Sequence, residues 1–323
     1  MAATSDAPSP PPTPSWPEIK SLLTQDELSP ITARYRALME SRRTAPSTQE
    51  AVAVLSAALE VQTQSILLRH EIAYVLGQIG DKAATGILRT LAASTAEDEI
   101  VRHEAAEAVA AICAKDAIDE LALYSEGIDT PSLLRDTCEL AVHQLRASSS
   151  EDGSQKRVAV CACQYQTIDP AEGKDGATEE DVPSAVLSLC DASKPLVERY
   201  QAMFTLRNVG GVDAVAGLCQ ALRTDTKSAC LRHEVAFVLG QMENDESVAA
   251  LVESLCDPQE HAVVRHEAAI ALGAVGTATS RAALEKFRND PEPMVWESCV
   301  VALDILDYWE AWEALEARIA AER

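Results

Sequence analysis

The sequence predicts an all-α fold: a helical-repeat solenoid, an α-α superhelix, in two pseudo-symmetric halves that face each other. Three observations carry that expectation. Strand signals are nearly absent, because period-two alternation of β-branched and aromatic residues does not appear. Short amphipathic segments instead follow one another, separated by Gly, Asp or Pro. A pattern centred on Arg-His-Glu also returns at a fixed interval, since 33 residues separate His70 from His103 and 33 separate His233 from His266. A period of that length is one helix–turn–helix unit stacked on the next.

Taken in order, the chain opens on "MAATSDAPSPPPTPSWPEIK", rich in Pro and Ser and without an apolar core, so residues 1–28 are expected to form a disordered tail. The first half, 29–147, reads as amphipathic helices near 31–42, 50–60, 67–79, 83–93, 101–113, 117–124 and 133–145. Residues 148–182 carry "SSSEDGSQKR" and "EGKDGATEED" and read as a polar linker. The second half, 183–323, reads as helices near 182–190, 196–209, 212–222, 231–242, 248–256, 263–275, 281–287, 294–306 and 308–321. "VERYQAMFTLRNVGG" precedes the second-half histidines much as "ITARYRALMESRR" precedes those of the first, which marks a duplication. "GQIGD" and "RNVGG" read as Gly-capped helix ends rather than phosphate loops. The first-half "RALMESRRT" lacks that Gly pair, so the first repeat is expected to be looser.

Composition narrows the function. Of 323 residues only 4% are aromatic, and the net charge is −24, which argues against nucleic-acid binding because phosphate backbones need basic patches. Such a surface favours solubility and cationic partners. Nine cysteines, an odd number, lie scattered, and no stretch looks like a signal peptide, so a reduced intracellular compartment is expected. Cys161 and Cys163 lack a matching second pair and read as free thiols rather than a zinc site. No apolar run approaches the roughly 20 residues that span a bilayer.

Four of the six histidines sit in Arg-His-Glu triplets, giving the pairs His70–Glu71, His103–Glu104, His233–Glu234 and His266–Glu267. Adjacent helical residues point about 100° apart, so each His and Glu can converge on a cavity in front of the helix. Three and seven residues after each His stand Ala73 and Gly77, Ala106 and Ala110, Ala236 and Gly240, and Ala269 and Gly273. Small residues there let a neighbouring backbone, or something bound, come close. Two imidazoles and a carboxylate with open positions are the ligand set of non-heme Fe(II) oxygen-activating sites. The competing reading takes the triplet as a helix N-terminal turn, its acid favouring the dipole and its Arg solvated. Four copies at one register in both halves outweigh it. His143 and His261 lack the Glu and read as surface or packing residues, and the absence of His-Glu-x-x-His disfavours a zincin-type hydrolase.

With these residues assembled, the chain resembles the deoxyhypusine hydroxylase family, HEAT-repeat proteins with two facing halves and four His-Glu pairs. The likeness rests on "LRHEIAYVLGQIGD", "VRHEAAEAV", "RYQAMFTLRNVGG", "LRHEVAFVLGQM" and "VRHEAAIALGAVG", and on "YQTIDPA" between the halves. It implies a cytoplasmic, and also nuclear, di-iron monooxygenase with two Fe(2+) per chain. Its substrate would be the deoxyhypusine side chain of a translation initiation factor, converted to hypusine with O2 and an unidentified external reductant. His70, His103, His233 and His266 match iron ligands, and Glu104 and Glu267 match carboxylates that complete the iron shells. Glu71 and Glu234 match positions that meet the substrate amine or share in the metal site. No catalytic group beyond the di-iron site, no nucleic acid and no membrane is implied, and a monomer is expected because both halves lie in one chain. The alternatives are a non-catalytic HEAT-repeat scaffold, which would bind no metal, and a HEAT-like lyase attaching a bilin pigment, which needs a pigment-sized apolar groove. The halves are further expected to dock through metal.

Overall fold

In the computed structural model of the chain, residues 11–25, 28–61, 64–147, 165 and 167–321 are described. The expectations for the first ten residues, most of the polar linker, and Cys161 and Cys163 lie outside the described residues. Among the described residues there is no strand. The first half contains α1 (Trp16–Thr24), α2 (Ile31–Thr44), α3 (Thr48–Leu59), α4 (Ile66–Ile79), α5 (Thr85–Ala93), α6 (Glu99–Ala111), α7 (Ile118–Glu126) and α8 (Ser132–Ala147). The second contains α9 (Val182–Cys190), α10 (Leu196–Val209), α11 (Gly211–Thr224), α12 (Ala229–Met242), α13 (Val248–Cys256), α14 (Ala262–Val275), α15 (Ala278–Phe287) and α16 (Pro293–Ala321).

Two sequence expectations fail here. The tail expected to be disordered over residues 1–28 contains α1. Ser15 and Glu18 form a capping box and a proline occupies its first turn, while Ile19 and Leu23 are buried. The two helices expected at 294–306 and 308–321 are one continuous 29-residue helix, because no Gly or Pro interrupts the chain between Leu306 and Tyr308.

Even-numbered helices pack side by side as an inner layer, α2–α4–α6–α8 and α10–α12–α14–α16, and odd-numbered helices cover them from outside. The layer closes on itself, for α8 packs against α10 and α12, and α16 packs against α2 and α4. Closure therefore rests on protein contacts rather than on metal alone. Arg36 pairs with Asp304 at 2.6 Å, Ser228 Oγ donates to Asp136 at 2.7 Å, and Tyr74 meets Phe237 edge-on. Half-exposed ion pairs contribute at most about 1 kcal/mol each. Burying Leu67, Ile100 and Leu133 within the second-half core contributes about 1.5–3 kcal/mol apiece, so apolar closure dominates.

Three of the four triplet arginines are clasps, not solvated charges, while Arg232 pairs with Glu260 at 2.7 Å and with Asp225 at 3.3 Å. Arg69 donates to Leu59 O at 2.7 Å, Arg102 to Ala92 O at 3.1 Å and Arg265 to Leu255 O at 3.0 Å. Each thereby ties an inner helix to the end of the outer helix before it, where carbonyls lack helical partners. Arg199, outside any triplet, does the same with Leu189 O at 2.8 Å. The small residues also resolve. A Cβ on Gly77 would lie 2.9 Å from Ala108 Cα, and one on Gly240 or Gly273 3.0 Å from Ala271 Cα or Ala302 Cα. They admit the neighbouring helix backbone, not a ligand.

Candidate metal centre

Each triplet is placed by a cap five residues before its histidine. Ser65 Oγ accepts from Leu68 N at 3.1 Å, Asp98 from Ile100 N at 2.9 Å, Ser228 Oγ from Leu231 N at 3.1 Å and His261 Nδ1 from Val263 N at 3.2 Å. His261, expected as a surface or packing residue, is thus the fourth cap. The Arg-His-Glu stretch falls in the second helical turn, beyond the orphan N–H groups that a dipole-favoured acid would serve.

The four inner helices bring the four imidazoles to one centre. Ring centroids of His70 lie 5.7 Å from His103, 5.8 Å from His233 and 5.2 Å from His266. Glu104 Oε2 stands 3.3 Å from His70 Nε2 and 3.8 Å from His103 Nε2. Glu267 Oε2 stands 3.4 Å from both His233 Nε2 and His266 Nε2. Each half thus presents two imidazoles about one carboxylate, the second acid of the half in both cases. Glu71 behaves differently, reaching across to within 3.7 Å of His266 Nε2 while standing 3.8 Å from His70 Nδ1. Glu234 lines the same cavity.

All four histidines are buried, yet six of their eight ring nitrogens have no hydrogen-bond partner: both of His70, both of His233, and Nε2 of His103 and His266. Near approach to the carboxylates does not give them hydrogen-bond geometry. Unmet buried polar atoms are costly in a native protein, and a cluster of them aimed at one point fits a bound cation. Ligand atoms of His70, His233 and His266, and of His70, His103 and Glu104, lie within 4.8 Å of one another. Nitrogen and oxygen donors without thiolate suit a borderline divalent transition ion.

Electrostatics agree. Burial, reinforced by neighbouring imidazoles, holds His103 and His266 well below the ordinary histidine value, so both are neutral and able to ligate. Burial also pulls His70 down, but Glu104 and Glu71 outweigh it and bring that imidazole up to about 10. Burial raises Glu71, and burial with Glu107 raises Glu234 well above the carboxylate range. Protons thus occupy the cluster where a cation would displace them.

Above the histidines lies a cavity of about 130 Å³ with no Lys or Arg in its lining. Its walls include the residue four places after each histidine, namely Tyr74, Glu107, Phe237 and Ile270. Sequence reasoning weighed the third and seventh places and missed the fourth, although its helical register was legible. Glu107 is an acid where the other repeats are apolar, and burial with Glu104 pushes it up to about 8. A strap from "YQTIDPA" crosses the cavity at Thr167–Pro170. Gln78 clamps Ile168 through both backbone groups, at 3.1 and 2.9 Å. Arg207 grips Asp169 with both terminal nitrogens, one bond at 2.9 Å, and also bonds Gln241 at 3.0 Å. No local pattern marks Arg207 or Gln78 as strap holders.

Comparison with known proteins bears directly on this arrangement. Residues 52–127 and 215–304 match the family described as HEAT repeats, and 198–224 match a PBS lyase HEAT-like repeat. Deoxyhypusine hydroxylase of Rattus norvegicus is 40% identical over 283 residues, covering 88% of this chain and 89% of the rat protein. The chain belongs to the deoxyhypusine hydroxylase family. The Mus musculus enzyme is 40% identical over 198 residues, an alignment spanning 61% of each protein. A solved structure of human deoxyhypusine hydroxylase in complex with glycerol superposes with a TM-score of 0.80 at 38% identity, covering 90% of this chain and 95% of that one. The helical-repeat solenoid read from the sequence is therefore the architecture of this family.

Proposed function

We propose that this chain hydroxylates the deoxyhypusine side chain of a translation initiation factor, using O2, an external reductant and two Fe(2+) ions. His70, His103 and Glu104 would hold one ion, and His233, His266 and Glu267 the other. Bound there, iron supplies the O2 activation that insertion of oxygen into an unactivated carbon–hydrogen bond requires and no side chain provides. The observation that carries the reading is the pair of matched two-imidazole, one-carboxylate sets, with their Nε2 atoms buried and bare.

The remaining residues suit the substrate. Deoxyhypusine is a lysine extended by an aminobutyl group, a flexible chain with two ammonium charges. A cavity walled by Glu71, Glu234 and Glu107, with no basic side chain in its lining, offsets the desolvation of such charges. Tyr74 and Phe237, packed edge to face across the halves, add aromatic surface to the cavity wall for the methylenes. A bilin lyase is not favoured, because 130 Å³ falls short of the roughly 300 Å³ at which drug-sized pockets begin. The site is complete within one chain, which supports a monomer.

Iron content and visible absorbance of the wild type and a His70→Ala/His233→Ala variant test the assignment. We expect about two irons per chain and a charge-transfer band that the variant loses, followed by hydroxylation of the deoxyhypusine-bearing factor. Absence of iron in protein purified with iron supplied, or equal metal in both samples, overturns it and leaves the scaffold reading.

A further inference from the structure

Only two of the eight ring nitrogens in the cluster make a hydrogen bond, and the two are related by the duplication. His103 Nδ1 meets Thr137 Oγ1 on α8 at 3.0 Å, and His266 Nδ1 meets Ser298 Oγ on α16 at 2.8 Å. Both hydroxyls are buried, and each is spoken for as a donor. Thr137 Oγ1 donates to Leu133 O at 3.0 Å, and Ser298 Oγ donates to Met294 O at 2.6 Å. A hydroxyl has a single proton, and a carbonyl can only accept. The lone pair left facing each imidazole obliges Nδ1 to carry the hydrogen, which leaves Nε2 as a bare lone pair aimed at Glu104 or Glu267.

We propose that Thr137 and Ser298 are positioning residues that fix His103 and His266 as Nε2 ligands. Along the inner layer of each half the row then reads His, His, hydroxyl, with Thr137 34 residues after His103 and Ser298 32 residues after His266. The same device appears with different residues, Thr in one half and Ser in the other, so the hydroxyl is what the two positions share. His70 and His233 have no such anchor, with both ring nitrogens unpartnered. Each metal set therefore pairs one locked imidazole with one free to turn. Thr137 is itself backed from the opposite half, its Oγ1 lying 3.4 Å from Cys230 Sγ, and the Tyr200 hydroxyl donates to Cys230 O at 3.0 Å. A second-half residue thus buttresses a first-half ligand.

This inference rests on the proposed metal site but can be tested apart from it. In metal-free protein with 15N-labelled histidine, long-range proton–nitrogen NMR spectra should show His103 and His266 as the Nδ1–H tautomer. Thr137→Val and Ser298→Ala should each abolish that signature for their own histidine. In chelator competition, each variant should weaken one of the two irons by about 10- to 100-fold, the usual cost of losing a partner behind a ligating histidine. Thr137→Ser and Ser298→Thr, which keep the hydroxyl, should restore both readouts. An Nε2–H tautomer in the wild type overturns the proposal, as does iron affinity unchanged in Thr137→Val and Ser298→Ala. If the wild type binds no iron, the functional reading fails while the NMR arm still decides the anchor.

Discussion

Replacing Asp169 with Ala removes the carboxylate that faces Arg207 and leaves a guanidinium inside the protein. The Arg207 side chain is 0% exposed and that of Asp169 10%, so solvent screening does little to weaken their two hydrogen bonds. Hydrogen bonds to charged groups contribute about 1.5–3 kcal/mol each, which gives about 3–6 kcal/mol for the pair. Breaking a buried ion pair by removing one partner costs about 3–5 kcal/mol, in agreement. The two deletions should nonetheless differ. Arg207 is held within α10 under Phe204, 4.6 Å from its ring, and cannot reach water without unfolding the helix. Asp169 lies on the irregular strap and can swing into solvent. Asp169→Ala should therefore lose about 3–5 kcal/mol of stability in urea denaturation, whereas Arg207→Met should lose less. The double variant should recover most of the loss, because the guanidinium that Asp169 balanced is gone as well. Hydrogen exchange should show the amides of residues 167–169 opening in every variant. An Asp169→Ala protein within 1 kcal/mol of wild type, or a double variant showing the sum of the single losses, would refute the reasoning.

Other outcomes follow from the same structure. Gly77→Ala and Gly273→Ala put a Cβ 2.9 and 3.0 Å from the backbones of Ala108 and Ala302, and should cost about 1–3 kcal/mol in denaturation. Gly86→Ala meets nothing within 4 Å and should be neutral or stabilising, so the reverse order would sink the packing argument. Chelating the proposed iron should lower the melting temperature and enlarge the molecule in small-angle scattering, since the buried carboxylates would lose their counter-charge. Unchanged size and melting temperature would count against it. In metal-free protein, Glu107 near pKa 8 binds more proton folded than unfolded between about pH 4.5 and 8. Stability should fall as pH rises through that window, and Glu107→Gln should flatten the slope.

Three adjacent residues show how far the sequence could be read. The period and the tetrad of histidines were legible because helical register repeats them. Glu104 and Glu267 stand between the imidazoles of their own halves, whereas Glu71 reaches across to His266 of the other half. The arginine's task was not legible, since in three of the four triplets its partner is a carbonyl ten residues back, and a backbone carbonyl leaves no trace in composition. Thr137 and Ser298 escaped notice for a similar reason. They lie one helix beyond the last histidine of each half, where the repeat has already lost its signature. The helix at Trp16 was overlooked because proline content spoke for disorder, although Ser-Trp-Pro-Glu is also a helix start. The strap's hold on the cavity joins Gln78 to Ile168, 90 residues apart, which no local pattern reveals.

The closing of α16 onto α2 sets a timetable for the nascent chain. Arg36 and Asp304 stand 268 residues apart, so the ring shuts only after both halves have been made. Until then His70 and His103 can gather with Glu104, but His233, His266 and the Ser298 that steadies it are still to come. The first of the two proposed ligand sets can therefore be complete while its twin does not yet exist. Contacts so distant in sequence are slow to form. Loading the two halves together is thus a task for the finished protein rather than for the growing one.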